Sequence, residues 1–201
     1  AAEEGMIGLI TADSGAGPKA VAPFGGRERR LGTNPISIAV PSNLDATLLL
    51  DMATGAVAAG KIGLFKSRGG QMPIGWAIDR HGNPTTSPDE YYAGGAILPV
   101  GADQGHKGSG LSFMVETLAS ILTGLGFGVD LQARHNDGCF LAVFNVEAFR
   151  PLEEFKREAQ AFAEYIKDTA PAKGFTEVLY PGEIEWRTEQ QRRKEGVYVE
   201  E

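Results

Sequence analysis

Three stretches carry residue types that could do chemistry. The first is "GADQGHKGSG" (101–110), where glycines and a serine surround His106 and Lys107 just ahead of the apolar segment "LSFMVETLASILTGLGFG". Small residues let a ligand approach the backbone, and the first turn of a helix leaves N–H groups unsatisfied. A phosphate, a carboxylate or the pyrophosphate of a cofactor would therefore suit a lysine at this place. The pattern is not a P-loop, which needs glycine where His106 stands and a hydroxyl directly after the lysine, where Gly108 stands instead. Two readings stand on these residues alone: an anion site, or a Gly-rich turn with His106 and Lys107 in solvent.

The second stretch, "GAGPKA" (15–20), fits G-x-G-x-x-A after a strand. A dinucleotide fingerprint works only where a helix starts, so that its N–H groups and dipole meet the pyrophosphate. Pro18, Pro23 and "FGG" leave no room for that helix, and a Rossmann site is not expected. The third group is the acids and histidines. Asp51 and Asp79 close strand-like runs and read either as ligand groups or as turn caps. His81 in "DRHGNP" and His135 in "ARHNDG" read as surface turn residues. No H-x-x-x-H, Glu-x-x-His or nucleophile elbow is present, which leaves metal hydrolysis and acyl transfer without visible apparatus and predicts no metal.

The elements that must position these groups follow from the apolar pattern. "MIGLIT" (6–11) is a continuous run, expected of a strand covered on both faces; 36–41 and 46–53 read as two further strands, and a short helix fits within 54–70. Residues 111–125 read as a helix with Leu111, Met114, Val115, Leu118, Ile121, Leu122 and Leu125 inward. "CFLAVFNV" (139–146) reads as a strand with Cys139 a small core residue. Pro151 to Lys167 reads as a helix with Leu152, Phe155, Ala159, Phe162 and Ile166 inward, and 175–183 as a strand and turn. The fold class is mixed α/β without regular βαβ alternation.

Composition bounds the function. The chain has 201 residues, 42% hydrophobic and 22% charged, with a formal net charge of −7. That balance excludes a nucleic-acid binder, since "RRK" (192–194) lies among glutamates and reads as a solvated helix face. The single cysteine excludes an internal disulfide. No run of about 18 apolar residues exists to form a membrane helix, and no signal-peptide pattern opens the chain, so a cytoplasmic enzyme is expected. "AAEEGMIGLI", without an initiator Met, reads like a helix end turning through Gly5 into a strand, as in a fragment lacking its N-terminal part.

Several ordered stretches together resemble one family, the type 2 malate/L-lactate dehydrogenases, which include ureidoglycolate, sulfolactate and diketogulonate oxidoreductases. They are "VAPFGGRERRLGTNPISIAVP" (21–41), "LDMATGAVAAGKI" (50–62), "GWAIDRHGNPTTSP" (75–88), "GGAILPVGADQGHKGSGLSFMVETLASILTG" (94–124) and "GFTEVLYPGE" (174–183). The resemblance implies a non-Rossmann NAD(P)-binding fold, sulfolactate dehydrogenase-like. It implies hydride transfer between NAD or NADP and a small 2-hydroxy or 2-keto acid such as malate or lactate, in a homodimer. By the same resemblance Ser14, Asp51, Met52, Ala53, His106, Lys107, Pro181, Gly182, Glu183 and Arg187 contact the cofactor, and Thr33, Ala59 and Gly60 the substrate. Residues 1–146 correspond to the NAD(P)-binding domain, truncated at its start, and 147–201 to a helix, strand and tail completing the cofactor site.

This chain departs from the family in two ways. "AAGKI" stands where many members have "ARGKI", so Ala59 replaces an arginine able to grip a substrate carboxylate. The family's proton-donor histidine lies in an N-terminal helical region, and none of His81, His106 or His135 matches it, so no catalytic residue is assigned. The expected function is a 2-hydroxy-acid dehydrogenase. The alternatives are a catalytically silent nucleotide-binding or oligomerisation fragment and, with no base or metal site in view, a phosphate-binding hydrolase.

Overall fold

The computed structural model describes residues 1–13, 15, 17–129 and 137–197. Ser14 and His135 lie outside the described residues. A mixed α/β fold results, as expected. Strands β1 (Met6–Asp13), β2 (Ile36–Val40), β3 (Leu48–Met52) and β7 (Gly138–Asn145) form a four-stranded sheet in the order β3-β2-β1-β7. The two-residue strands β4 (Ala77–Ile78), β5 (Pro84–Thr85) and β6 (Ala96–Ile97) form a second sheet, β5-β4-β6, antiparallel throughout. Helices α1 (Ala59–Ser67), α2 (Pro88–Tyr92), α3 (Gly105–Glu116), α4 (Leu152–Lys167) and α5 (Glu183–Glu195) are accompanied by 3₁₀ turns at Ala2–Glu4, Ala102–Gln104 and Val146–Ala148, and a π-helical segment, Thr117–Ile121, continues α3.

Two compact units divide the chain: unit 1 is Ala1–Leu9, Ser37–Asp51 and Ala142–Glu201, and unit 2 is Ile10–Ile36 and Met52–Leu141. Unit 2 has a continuous apolar core of Val21, Val57, Ile62, Met72, Ala77, Tyr91 and Ile97. Arg29 closes one side of it, donating to the carbonyls of Gly95 at 2.6 Å and Tyr91 at 2.7 Å while its guanidinium lies 4.4 Å from the Tyr91 ring centre. In unit 1 an apolar groove of about 560 Å³ runs along α4, lined by Ile38, Leu48, Leu50, Phe155, Phe162 and Tyr180 among others.

Several sequence expectations are corrected. β1 is a strand, but Met6 and Ile10 are exposed and its most buried side chains are the polar Thr11 and Asp13. An apolar run records no neighbours, and this strand ends among polar groups rather than under hydrophobic cover. Of the face foreseen as inward on 111–125, Val115 is buried and Leu111, Leu118 and Leu125 are half-buried, but Met114, Ile121 and Leu122 are exposed, and Ser112, Glu116, Ala119 and Ser120 are buried instead. Two causes act together. The five-residue π segment breaks the 3.6-residue period beyond Glu116, and the helix buries small residues because it packs closely.

Gly108 shows that closeness. A Cβ there would lie 2.1 Å from the Val100 carbonyl oxygen. Cys139 is exposed, not a core residue, because it falls on the outward side of the edge strand β7. Phe162 of α4 is exposed, whereas Ala163 beside it is buried. Residues 175–181 form no strand; the helix α5 follows instead, with Arg192, Arg193 and Lys194 on its exposed last turn.

Candidate functional site

The loop before α3 starts with Gly101 at φ 115°, passes through a 3₁₀ turn, Ala102–Gln104, and enters the helix at Gly105. His106 and Lys107 are exposed in its first turn while Gly105 and Gly108 are buried. Phe24 flanks this turn: its ring meets His106 edge-on at 5.6 Å, and its N–H donates to Ser109 Oγ at 3.1 Å. Beside them a groove of about 440 Å³ is walled by Phe24, Arg27, Ile78, His81, Leu98 and Gly105. The glycines at 105 and 108 thus serve close packing, and the charged and aromatic groups between them face outward.

Backbone hydrogen bonds tie this loop to two other candidate segments of unit 2. Val100 N–H donates to the Thr54 carbonyl at 2.9 Å, and Thr54 in turn donates its N–H to the Thr33 carbonyl at 2.8 Å. Thr54 Oγ1 donates to the carbonyls of Thr33 at 3.0 Å and Asn34 at 2.9 Å. The structure therefore brings the Thr33 turn, the Met52–Ala53 segment and the α3 entrance into one bonded array. Ala59 and Gly60 start α1. Nothing lies within 4 Å of a Cβ built at Gly60, whereas Ala59 packs on the unit 2 core.

The remaining described candidates belong to unit 1. Asp51 is exposed on β3. Pro181 accepts from Leu49 N–H at 3.1 Å, and Gly182, at φ 95°, brings its Cα so near Thr47 that a Cβ would lie 2.3 Å from that carbonyl oxygen. Glu183 is buried at the start of α5 and takes hydrogen bonds from Lys167, Arg187 at 2.5 Å and Tyr180 N–H at 3.4 Å. Burial alone would raise its carboxyl pKa, but these donors outweigh it and hold the pKa below the ordinary value. Arg187 also grips Glu177 at 2.6 and 2.8 Å, which lowers the Glu177 pKa. Glu183 and Arg187 are thus a paired, ordering cluster as they stand.

Asp79 resolves as a turn residue: its carboxylate accepts the N–H groups of His81 at 2.8 Å and Asn83 at 2.9 Å, and these bonds lower its pKa, led by that from the Asn83 side chain. His81 is exposed, as expected, and accepts from Arg80 Nε at 3.0 Å. The described residues of "GAGPKA", Gly15 and 17–20, start no helix, which agrees with the rejection of a dinucleotide fingerprint there. No metal-ligating group of three or more His, Cys, Asp or Glu occurs among the described residues, and no helix among them is long and apolar enough to cross a membrane.

One cluster escaped the sequence reading. Lys19 is buried between Asp13 at 3.1 Å and Glu116 at 3.0 Å. Ser120 donates to Asp13 at 2.6 Å, and Asn34 Nδ2 donates to Glu116 and to the Ser112 carbonyl, each at 3.0 Å. The available signal was Glu116, the one charged residue between Lys107 and Asp130. A lone acid inside an apolar helical segment requires a buried partner.

A family model described as malate/L-lactate dehydrogenase matches residues 1–201. A malate dehydrogenase of Pyrococcus horikoshii is 42% identical over 99% of this chain and 56% of its own length. A ureidoglycolate dehydrogenase (NAD(+)) of Escherichia coli is 36% identical, over 99% and 56%. Among solved structures, malate dehydrogenase from Entamoeba histolytica aligns with a TM-score of 0.86 at 31% identity, covering 96% of this chain and 57% of that one. Sulfolactate dehydrogenase from Methanocaldococcus jannaschii aligns at 0.82 and 37%, covering 100% and 57%. The chain spans little more than half the length of these relatives.

Proposed function

The chain belongs to the malate/L-lactate dehydrogenase family, and from that premise we propose that it supplies the nicotinamide-dinucleotide contacts, to NAD or NADP, and one wall of the substrate pocket of an oxidoreductase acting on a small 2-hydroxy or 2-keto acid. The observation that carries this reading is the bonded array in unit 2, which joins Thr33, the Met52–Ala53 segment and the entrance to α3 through Thr54 and Val100. Lys107 is exposed and makes no ion pair among the described residues, so it can meet a phosphate. A Cβ at Gly60 would meet nothing within 4 Å, and His106 with Phe24 offers an aromatic edge. When bound, the cofactor supplies hydride chemistry.

The chain's own residues then bind and orient. Lys107, exposed in the first turn of α3, attracts the anionic part of the cofactor. Met52 and Ala53 line its approach, and Thr33 offers a hydroxyl to the acid. On unit 1, Asp51 and the Pro181–Gly182–Glu183 turn with Arg187 are proposed as further cofactor contacts. Ser14 is proposed with them by family resemblance. The same resemblance proposes a homodimer, which light scattering reads directly.

Cofactor binding without turnover is the second reading. It is favoured by the state of the described histidines: His81 is engaged by Arg80, and His106 lies against Phe24. Titrating the chain with NADH and with NADPH by fluorescence, then adding oxaloacetate, pyruvate and other 2-keto acids, separates the readings. Saturable binding with acid-dependent oxidation supports the dehydrogenase; binding alone supports the second reading; no binding sinks both.

A further inference from the structure

We propose that Asp13, Lys19, Asn34, Glu116 and Ser120 form a two-armed positioning device, in which one arm fixes the backbone flanking Ser14 and the other fixes the turn that carries Thr33. The proposal rests on the cofactor and substrate reading above. In the first arm, Asp13 Oδ2 accepts the Gly15 N–H at 2.9 Å, Lys19 Nζ at 3.1 Å and Ser120 Oγ at 2.6 Å. Asp13 and Gly15 are the two neighbours of Ser14 in the chain. Ser120 reaches Asp13 from the π-helical segment, a backbone form that is rare and often found at functional places.

In the second arm, Lys19 holds Glu116 Oε1 at 3.0 Å and Glu116 Oε2 accepts Asn34 Nδ2 at 3.0 Å. Asn34 has φ 41°, a left-handed conformation that asparagine adopts more readily than most residues but which still needs support. Its second amide hydrogen bonds to the Ser112 carbonyl, and its own carbonyl accepts from Thr54. Thr33 is therefore held through its carbonyl, which accepts both donors of Thr54, and through the anchored Asn34 that follows it. The arms converge on Gly32, where a Cβ would lie 2.3 Å from Asn34 Oδ1 and 2.5 Å from Asp13 Oδ1.

A buried ionic cluster is a poor way to gain stability, because desolvation of the charges offsets their attraction and an apolar replacement often serves as well. What it supplies is fixed geometry. Here that geometry falls on the two segments, one before and one after "GPKAVAPFGG", to which ligand contacts are ascribed.

The test uses Ser120→Ala, Ser120→Thr, Glu116→Gln and Lys19→Met in the full chain. In Glu116→Gln the remaining oxygen turns to the Lys19 ammonium, and the NH2 that replaces the other oxygen faces Asn34 Nδ2, donor against donor, which releases the second arm. Readouts are amide hydrogen exchange at Gly15 and Thr54, dissociation constants for NADH and NADPH, and KM and kcat for the preferred 2-keto acid. Ser120→Ala should speed Gly15 exchange and weaken cofactor binding by about fivefold or more, leaving Thr54 exchange and the acid KM within about twofold. Ser120→Thr should restore both. Glu116→Gln should do the converse, speeding Thr54 exchange and raising KM, and Lys19→Met should affect both arms. If every variant changes all readouts together, in proportion to global stability, the device is merely structural and the proposal falls. If the unchanged chain binds no cofactor, the functional reading fails separately. The exchange data still decide whether the arms act independently, and their moving together in Ser120→Ala and in Glu116→Gln would overturn the device.

Discussion

Lys19 Nζ lies 3.0 Å from Glu116 Oε1 with its side chain wholly buried, so one ammonium group joins the loop after β1 to the middle of the long helical segment. It also serves Asp13, which leaves two buried carboxylates dependent on one cation. Lys19→Met keeps the volume of the stem and removes that charge. The expected loss is about 3–5 kcal/mol, since breaking a buried pair leaves uncompensated charge behind. Urea denaturation of the two proteins measures it, and a loss below about 1 kcal/mol would contradict the buried pairing.

Two glycines of one helix should respond oppositely to alanine. At Gly108 the new Cβ would meet Val100 backbone at 2.1 Å, and backbone cannot step aside, so α3 must shift away from its loop. Gly108→Ala should lower the melting temperature by several degrees and weaken cofactor binding. At Gly110 nothing lies within 4 Å, and alanine is the better helix former by about 1 kcal/mol. Gly110→Ala should hold or raise the melting temperature. Equal effects at the two positions would refute the close approach of α3 to Val100.

The contrast between these glycines shows what the sequence could reveal. The helix ending at Lys167 and the strands near 36–41 and 46–53 were legible because the local apolar pattern and turn residues decide them, whereas the helix near 54–70 rested on Gly- and Ala-rich composition. The rejection of "GAGPKA" as a fingerprint was legible for the same reason: two prolines forbid a helix. The inward face of 111–125 was legible only at Val115, because a π segment resets the period beyond Glu116 and the rest of the buried stripe is Ser112, Glu116, Ala119 and Ser120. The strand expected within 175–183 failed at Pro181, which can accept from Leu49 but has no N–H with which to continue a ladder. Lys19 and Glu116 were invisible as a pair since nothing local links them. The candidate site was legible chiefly through resemblance, which named Thr33, His106 and Lys107; their connection through Thr54 and Val100 required the fold.

Acid should act on unit 1 through Glu183. Its pKa is depressed in the folded state by Lys167, Arg187 and Tyr180 N–H acting against burial, so its stabilising contribution is present above the ordinary value of 4.5 and is lost as pH falls through the lower, folded value. Thermal melts between pH 7 and pH 3 should show stability falling below about pH 4.5, and Glu183→Gln should flatten that fall while lowering stability at pH 7. An unchanged slope in the variant would show that Glu183 is not the responsible group.

Substrate choice should turn on Ala59. It opens α1 where "ARGKI" in other family members has an arginine, and its methyl packs on the unit 2 core while Gly60 beside it is open. Ala59→Arg would have to lead its stem out of that packing to place the guanidinium in solvent, at a stability cost of about 1–3 kcal/mol. In return it offers a two-pronged donor for a second carboxylate. The expected outcome is a KM for oxaloacetate that falls relative to the KM for pyruvate, with kcat little changed. Comparing the ratio of kcat/KM for the two acids in the parent and the variant checks it. A ratio that does not move would place the acid's second carboxylate away from the start of α1 and count against the substrate contacts that the resemblance implies for Ala59 and Gly60.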